Sequence, residues 1–197
     1  YIALAACEGH PDALNTISTK LRSFTKEELK GIFQNSPHTL NEIAVAACNG
    51  HPDALNAIIQ EVTKFNEEEL KGIFQEAEHT LAYIARAACK GYPDTLKAIS
   101  EKLTNFSIED FKKIFQYSEE TLNEIAMAAC VGYPDALNAI IGNLTSFSKE
   151  ELEEIFQESE HTLNHIAYAA GKGHPDALNA ISTKLRSFTK EELKGIF

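Results

Sequence analysis

A chain of 197 residues with 44% hydrophobic content carries enough apolar material for a folded body, which sets it apart from disordered chains. No apolar run approaches the roughly 18 residues that a membrane span needs, so no membrane partner is expected. A net charge of −11 disfavours phosphate backbones and anionic lipid surfaces unless the basic groups gather on one face.

The opening stretch, Tyr1-Ile2-Ala3-Leu4-Ala5-Ala6-Cys7, has no signal-peptide pattern and stands inside a repeat without an initiating Met. It reads as a piece of a longer array. The repeat itself is marked by His38-Thr39-Leu40, His79-Thr80-Leu81, Glu120-Thr121-Leu122 and His161-Thr162-Leu163, which recur every 41 residues. Full repeats are 38–78, 79–119 and 120–160, flanked by partial copies at 1–37 and 161–197 in a single array. Segment 7–33 matches 171–197 at all but three positions, Cys7/Gly171, Glu8/Lys172 and Thr16/Ala180. That offset is four whole periods, as expected when blocks of repeats duplicate.

Each repeat predicts three short helices. Helix A is expected to start at Thr39, with the hydroxyl as N-cap and Glu42 completing a capping box. Leu40, Ile43, Ala44 and Ala47 then share one face. Gly50 ends the helix where a positive φ is needed. Helix B opens at Pro52, whose missing N–H costs nothing in a first turn, with Asp53 beside the positive helix end. Its apolar stripe is Leu55, Ile58, Ile59 and Val62. Helix C has the fullest start signal: Phe24-Thr25-Lys26-Glu27-Glu28-Leu29 offers Thr25 as N-cap, Glu28 as its capping-box partner and a Phe24–Leu29 staple. Leu29, Ile32 and Phe33 face inward. No such helix can bury its apolar face alone, so the expected fold is an all-α, right- or left-handed α-solenoid of stacked 41-residue units without β-structure. Units cut at the two ends of the array would expose such faces, so weak end-to-end self-association is expected.

Ala46-Ala47-Cys48-Asn49-Gly50-His51 followed by Leu55 resembles the helix–turn–helix half of an ankyrin repeat. Ankyrin's Thr-Pro-Leu-His opening is absent, and helix C stands where its β-turn finger would be. Three helices in 41 residues is instead similar to armadillo and HEAT repeats. Both resemblances imply a scaffold that binds other proteins. A third similarity, to transcription-activator-like effector repeats, rests on Phe-Thr-Lys-Glu-Glu-Leu-x-x-Ile and Ala-Leu-x-x-Ile; its register is displaced.

Comparison of the copies isolates a face that varies on a constant framework. On helix A it comprises Tyr1, Leu4 and Glu8; Glu42, Val45 and Asn49; Tyr83, Arg86 and Lys90; Glu124, Met127 and Val131; and His165, Tyr168 and Lys172. Offsets of 3 and 7 put each trio on one side of its helix, opposite Leu40, Ile43 and Ala47. Seven of these 15 positions are apolar or aromatic. A merely solvated face should look like the outer side of helix C, with Lys149, Glu150, Glu153 and Glu154. The mixed stripe therefore reads as the surface for a protein or peptide partner.

The remaining candidates point to packing rather than chemistry. Cys7, Cys48, Cys89 and Cys130 recur at the repeat spacing, which stacking converts to about 8–10 Å, beyond the ~7 Å limit for a disulfide. They read as small buried hydrophobes, and free thiols suit the cytoplasm or another reducing intracellular compartment, a host cell included if the chain belongs to a secreted effector. Asn105-Phe106-Ser107 and Asn143-Leu144-Thr145 are glycosylation triplets of a kind common by chance. His161 and His165 have metal-gripping spacing, but their equivalents in other copies do not, so no metal or other cofactor is expected. Tyr92 and Tyr133 replace His51 at the turn, which breaks any Cys/His nucleophile pair and leaves no catalytic constellation. The alternative to protein binding is a modular nucleic-acid reader with one unit per repeat. Against it stand the net charge and the Asp residues 12, 53, 94, 135 and 176 at helix B N-termini, where phosphates would otherwise sit.

Overall fold

A computed structural model describes residues 12–77, 79–118, 120–159 and 161–196. Among them are fourteen helices and no strands. The first five are α1 (Asp12–Leu21), α2 (Lys26–Asn35), α3 (His38–Cys48), α4 (Asp53–Val62) and α5 (Glu67–Glu76). Next come α6 (Thr80–Cys89), α7 (Asp94–Leu103), α8 (Ile108–Tyr117), α9 (Glu120–Cys130) and α10 (Asp135–Leu144). The last are α11 (Lys149–Glu158), α12 (Thr162–Gly171), α13 (Asp176–Leu185) and α14 (Lys190–Ile196). The A and B helices pack chiefly against their equivalents one repeat away, while the C helices follow the same order with looser contacts shared with neighbouring A and B helices, which makes three rows: A (α3, α6, α9, α12), B (α1, α4, α7, α10, α13) and C (α2, α5, α8, α11, α14). The chain is thus an all-α solenoid.

The rows differ in closeness for a reason visible in the residues. The A helices lie tightest together. Their contact positions are alanines such as Ala44, Ala47, Ala85, Ala88, Ala126 and Ala129, all fully buried. Small side chains let neighbouring axes approach, close enough for the Cys48 thiol to donate to the backbone carbonyl of Tyr83 at 3.3 Å and that of Cys130 to His165 at 3.2 Å. The C helices are farthest apart and are spaced by phenylalanines, with Phe33 and Phe65 rings 6.0 Å apart and Phe115 and Phe147 also 6.0 Å.

Turn chemistry follows the sequence closely at two places. Gly50, Gly91, Gly132 and Gly173 all have positive φ, between 92° and 106°. At the first, His51 N–H donates to Ala46 and Gly50 N–H to Ala47, the double bond of a Schellman cap. The capping box of helix C is complete in α2, α5, α8 and α11, where Thr25, Asn66, Ser107 and Ser148 pair with Glu28, Glu69, Asp110 and Glu151.

Helix A starts differently from expectation. The threonine of His-Thr-Leu is not an N-cap. Thr80 and Thr162 are the first helical residues, and their N–H groups donate to the carbonyls of Ala77 and Ser159. Helical backbone there turns both hydroxyls into the interior, where neither finds a partner. Thr121 donates to the Ser118 hydroxyl at 2.8 Å. In the first full repeat Pro37 is the N-cap and makes no side-chain capping bond.

The outer side of row C is also not merely solvated. Lys30 bonds Glu69 at 2.8 Å, Lys71 bonds Asp110 at 3.1 Å and Lys112 bonds Glu151 at 2.8 Å, each pair crossing one seam. At the next seam Glu153 replaces the lysine, and Lys149, one turn earlier, reaches Glu192 at 2.9 Å instead. The acid in each pair is the capping-box residue of its own helix, so one carboxylate holds both a helix start and a repeat junction.

Candidate functional site: the face of the A helices

The variable stripe lies along row A, and the structure divides it into seam positions and free positions. Tyr1, Leu4 and Glu8 lie outside the described residues. Of the rest, Asn49, Lys90, Val131, Tyr168 and Lys172 are exposed, and Glu42, Val45, Tyr83, Arg86, Met127 and His165 are half-buried. Glu124 is buried at 3% exposure, unlike the solvent-facing position its helical offset predicts. The cause is the neighbouring unit. The first member of each trio sits at the junction between consecutive A helices, where side chains of the preceding A helix reach it, as Arg86 reaches Glu124 and Asn123 reaches His165.

Two junctions are polar. Arg86 on α6 donates from Nε to Glu124 at 2.9 Å and from a terminal nitrogen to Glu120 at 2.6 Å, both on α9. The hydrogen bond to Glu124, assisted by the charges of Glu124 and Glu120, raises the guanidinium pKa despite its partial burial. The second oxygen of Glu124 has no partner among the described residues. Arg86 also lies over the Tyr83 ring at 5.3 Å, a cation–π arrangement that fixes both side chains. One unit further, His165 Nδ1 is 2.7 Å from Asn123 Oδ1, and its ring meets that of His161 edge-on at 6.2 Å. Burial, then the charge of His161, lowers the His165 pKa against the opposing pull of Glu124.

The free positions mix polar residues, Asn49, Lys90 and Lys172, with the apolar Val131 and the aromatic Tyr168. Val131 at 52% and Tyr168 at 57% are the large hydrophobic residues exposed among the described residues. Lys172 lies over the Tyr168 ring at 5.3 Å. The cysteines border this face, half-buried and free, with no disulfide among Cys48, Cys89 and Cys130. Burial pushes the Cys48 thiol up to about 11 and the Cys89 thiol to about 12. Among the described residues no three His, Cys, Asp or Glu side chains converge as metal ligands would, and no helix is long and apolar enough to cross a membrane.

Sequence comparison between copies missed Glu120 and Asn123, which join the stripe through Arg86 and His165. The signal was present as opposite charges 34 and 38 residues apart, one repeat minus one or two helical turns, the separation that faces residues across a seam.

Fold and face together define the class: an array of stacked three-helix units with a mixed aromatic and charged surface along one row. Beyond the class, the chain matches no protein-family model, no curated protein and no solved structure.

Proposed function

We propose that the chain is a non-enzymatic scaffold that binds a protein or peptide partner across the face of its A helices. One observation carries this reading. Val131 and Tyr168, the large hydrophobic residues left exposed among the described residues, both lie on that face. Water-exposed apolar area gathered on one surface favours association, and tyrosine with its polar tip is a frequent hot-spot residue. The lysines and carboxylates around them supply the polar rim such an interface uses. The resemblance to ankyrin and armadillo or HEAT arrays supports the same function, and free, unreactive thiols suit a reducing compartment.

The test compares capture of binding partners by the wild-type array with capture by a Val131→Ser/Tyr168→Ala variant. Both substitutions replace exposed side chains, so the thermal transition should stay unchanged while a partner loses about 1–3 kcal/mol of binding for Tyr168 alone. Partners held equally by both chains would refute the reading. Salt-sensitive binding to random-sequence DNA or RNA would move it to the nucleic-acid alternative.

A further inference from the structure

We propose that α3, α6 and α9 hold a polyproline-type segment of a partner, in which an acidic side chain stands between two apolar ones in the order apolar-x-x-acidic-x-x-apolar. This occupant presupposes the A face as the binding surface and names what that surface recognises.

The third members of the trios form a ladder. Asn49, Lys90, Val131 and Lys172 hold the same position in successive units, and all four are exposed. A following unit therefore leaves this position open, as it does for Asn49, Lys90 and Val131 within the array. Packed helix axes lie about 8–10 Å apart, and that distance separates successive rungs. A left-handed polyproline helix advances about 3.1 Å per residue with three residues per turn. Its side chains at every third residue share one side and recur about every 9 Å, which matches the ladder. In a β-strand, third residues point to opposite sides. A face built of helices offers no strand edge to pair with, and a polyproline segment needs none, because it has no internal or ladder hydrogen bonds to complete.

The rungs state the chemistry. In α3 the Asn49 amide donates to the Val45 carbonyl of its own helix at 3.2 Å, beside the half-buried Val45 side chain. In α9, Val131 is 52% exposed and stands one turn from half-buried Met127. Both ends of the stretch thus offer apolar contact. Between them, α6 is cationic. Glu120 and Glu124 are both engaged by Arg86, whereas exposed Lys90 makes no ion pair among the described residues. Glu42 stands two turns before Asn49, toward the other end of α3. A ligand carboxylate at the middle position meets Lys90, and the apolar side chains three residues to either side meet Val45 and Val131.

Isothermal titration of the array with synthetic peptides at low salt is the test. The probes are Leu-Pro-Pro-Glu-Pro-Pro-Leu, the same peptide with Lys in place of Glu, and the Glu peptide with one proline deleted. The Glu peptide should bind about fivefold more tightly than the Lys peptide. The deletion turns one leucine away from its rung and should weaken binding. Lys90→Glu should reverse the preference between the Glu and Lys peptides, and Lys90→Gln should remove it. Lys90 is exposed at a helix end, so both variants should keep their circular dichroism. Val131→Ser should weaken both peptides without changing their order. No measurable binding of any peptide, equal binding of the Glu and Lys peptides, or a preference indifferent to Lys90→Glu would overturn the proposal. The scaffold reading survives those outcomes if Val131→Ser/Tyr168→Ala still loses captured partners, and falls with the proposal if it does not.

Discussion

Arg86 and Glu124, 38 residues apart on α6 and α9, form a charge pair in which the carboxylate is 3% exposed and the guanidinium is half-buried. The pair joins two repeats at the centre of the candidate binding face. A side chain that varies between copies is here a structural bond between them.

Removing the arginine leaves a buried carboxylate without its cation. Arg86→Ala should therefore cost about 1–3 kcal/mol in urea denaturation, and Glu124→Gln added to it should recover part of the loss. A double-mutant cycle measures the coupling. Independent, additive effects would show that the pair contributes nothing across the seam.

Row C predicts the acid limb of stability. At Glu69, burial raises the carboxyl pKa, but hydrogen bonds from Lys26, Lys30 and the Asn66 backbone outweigh it and hold the group at about 2. Lys112 lowers Glu151 and Lys149 lowers Glu192. A carboxyl depressed in the folded state contributes stability that is complete above its unfolded value, about 4.3, and lost as pH falls to the folded value. Stability should be level from neutral pH to about 5 and decline between about 4.5 and 2. Glu69→Gln should flatten that decline, measured by thermal denaturation across pH.

The cysteines should be nearly inert in the native state. Thiols pushed to about 11 and 12 carry little thiolate at pH 7.5, and the thiolate is the reacting form. Alkylation of Cys48 and Cys89 should be slower by about a hundredfold than that of an ordinary thiol, and should become fast in denaturant. Equal rates in both conditions would contradict the burial described.

Two glycines should respond in opposite ways. Gly132 has φ of 104° at a helix end, and Gly142 lies within α10 with nothing within 4 Å of an added Cβ. Gly132→Ala should destabilise by about 1 kcal/mol or more, while Gly142→Ala should stabilise by about 0.5–1 kcal/mol through helix propensity. Melting temperatures of the two variants check both signs.

The sequence alone determined the units of this protein. Helix lengths, glycine-ended A helices, capping boxes at Thr25, Asn66, Ser107 and Ser148, and the buried positions Leu40, Leu55, Ile58 and Phe33 all follow from residues within one repeat, because caps and amphipathic periods are local. What passes between repeats was decided by tertiary structure. The burial of Glu124, the inward turn of the Thr80 hydroxyl and the pairing of Lys112 with Glu151 depend on how far one helix is rotated and shifted against its equivalent. A helical period places residues around one axis and carries no information about the neighbouring axis. That offset, set by alanines in row A and phenylalanines in row C, decides which variable side chains become seams and which, like Tyr168, remain in water.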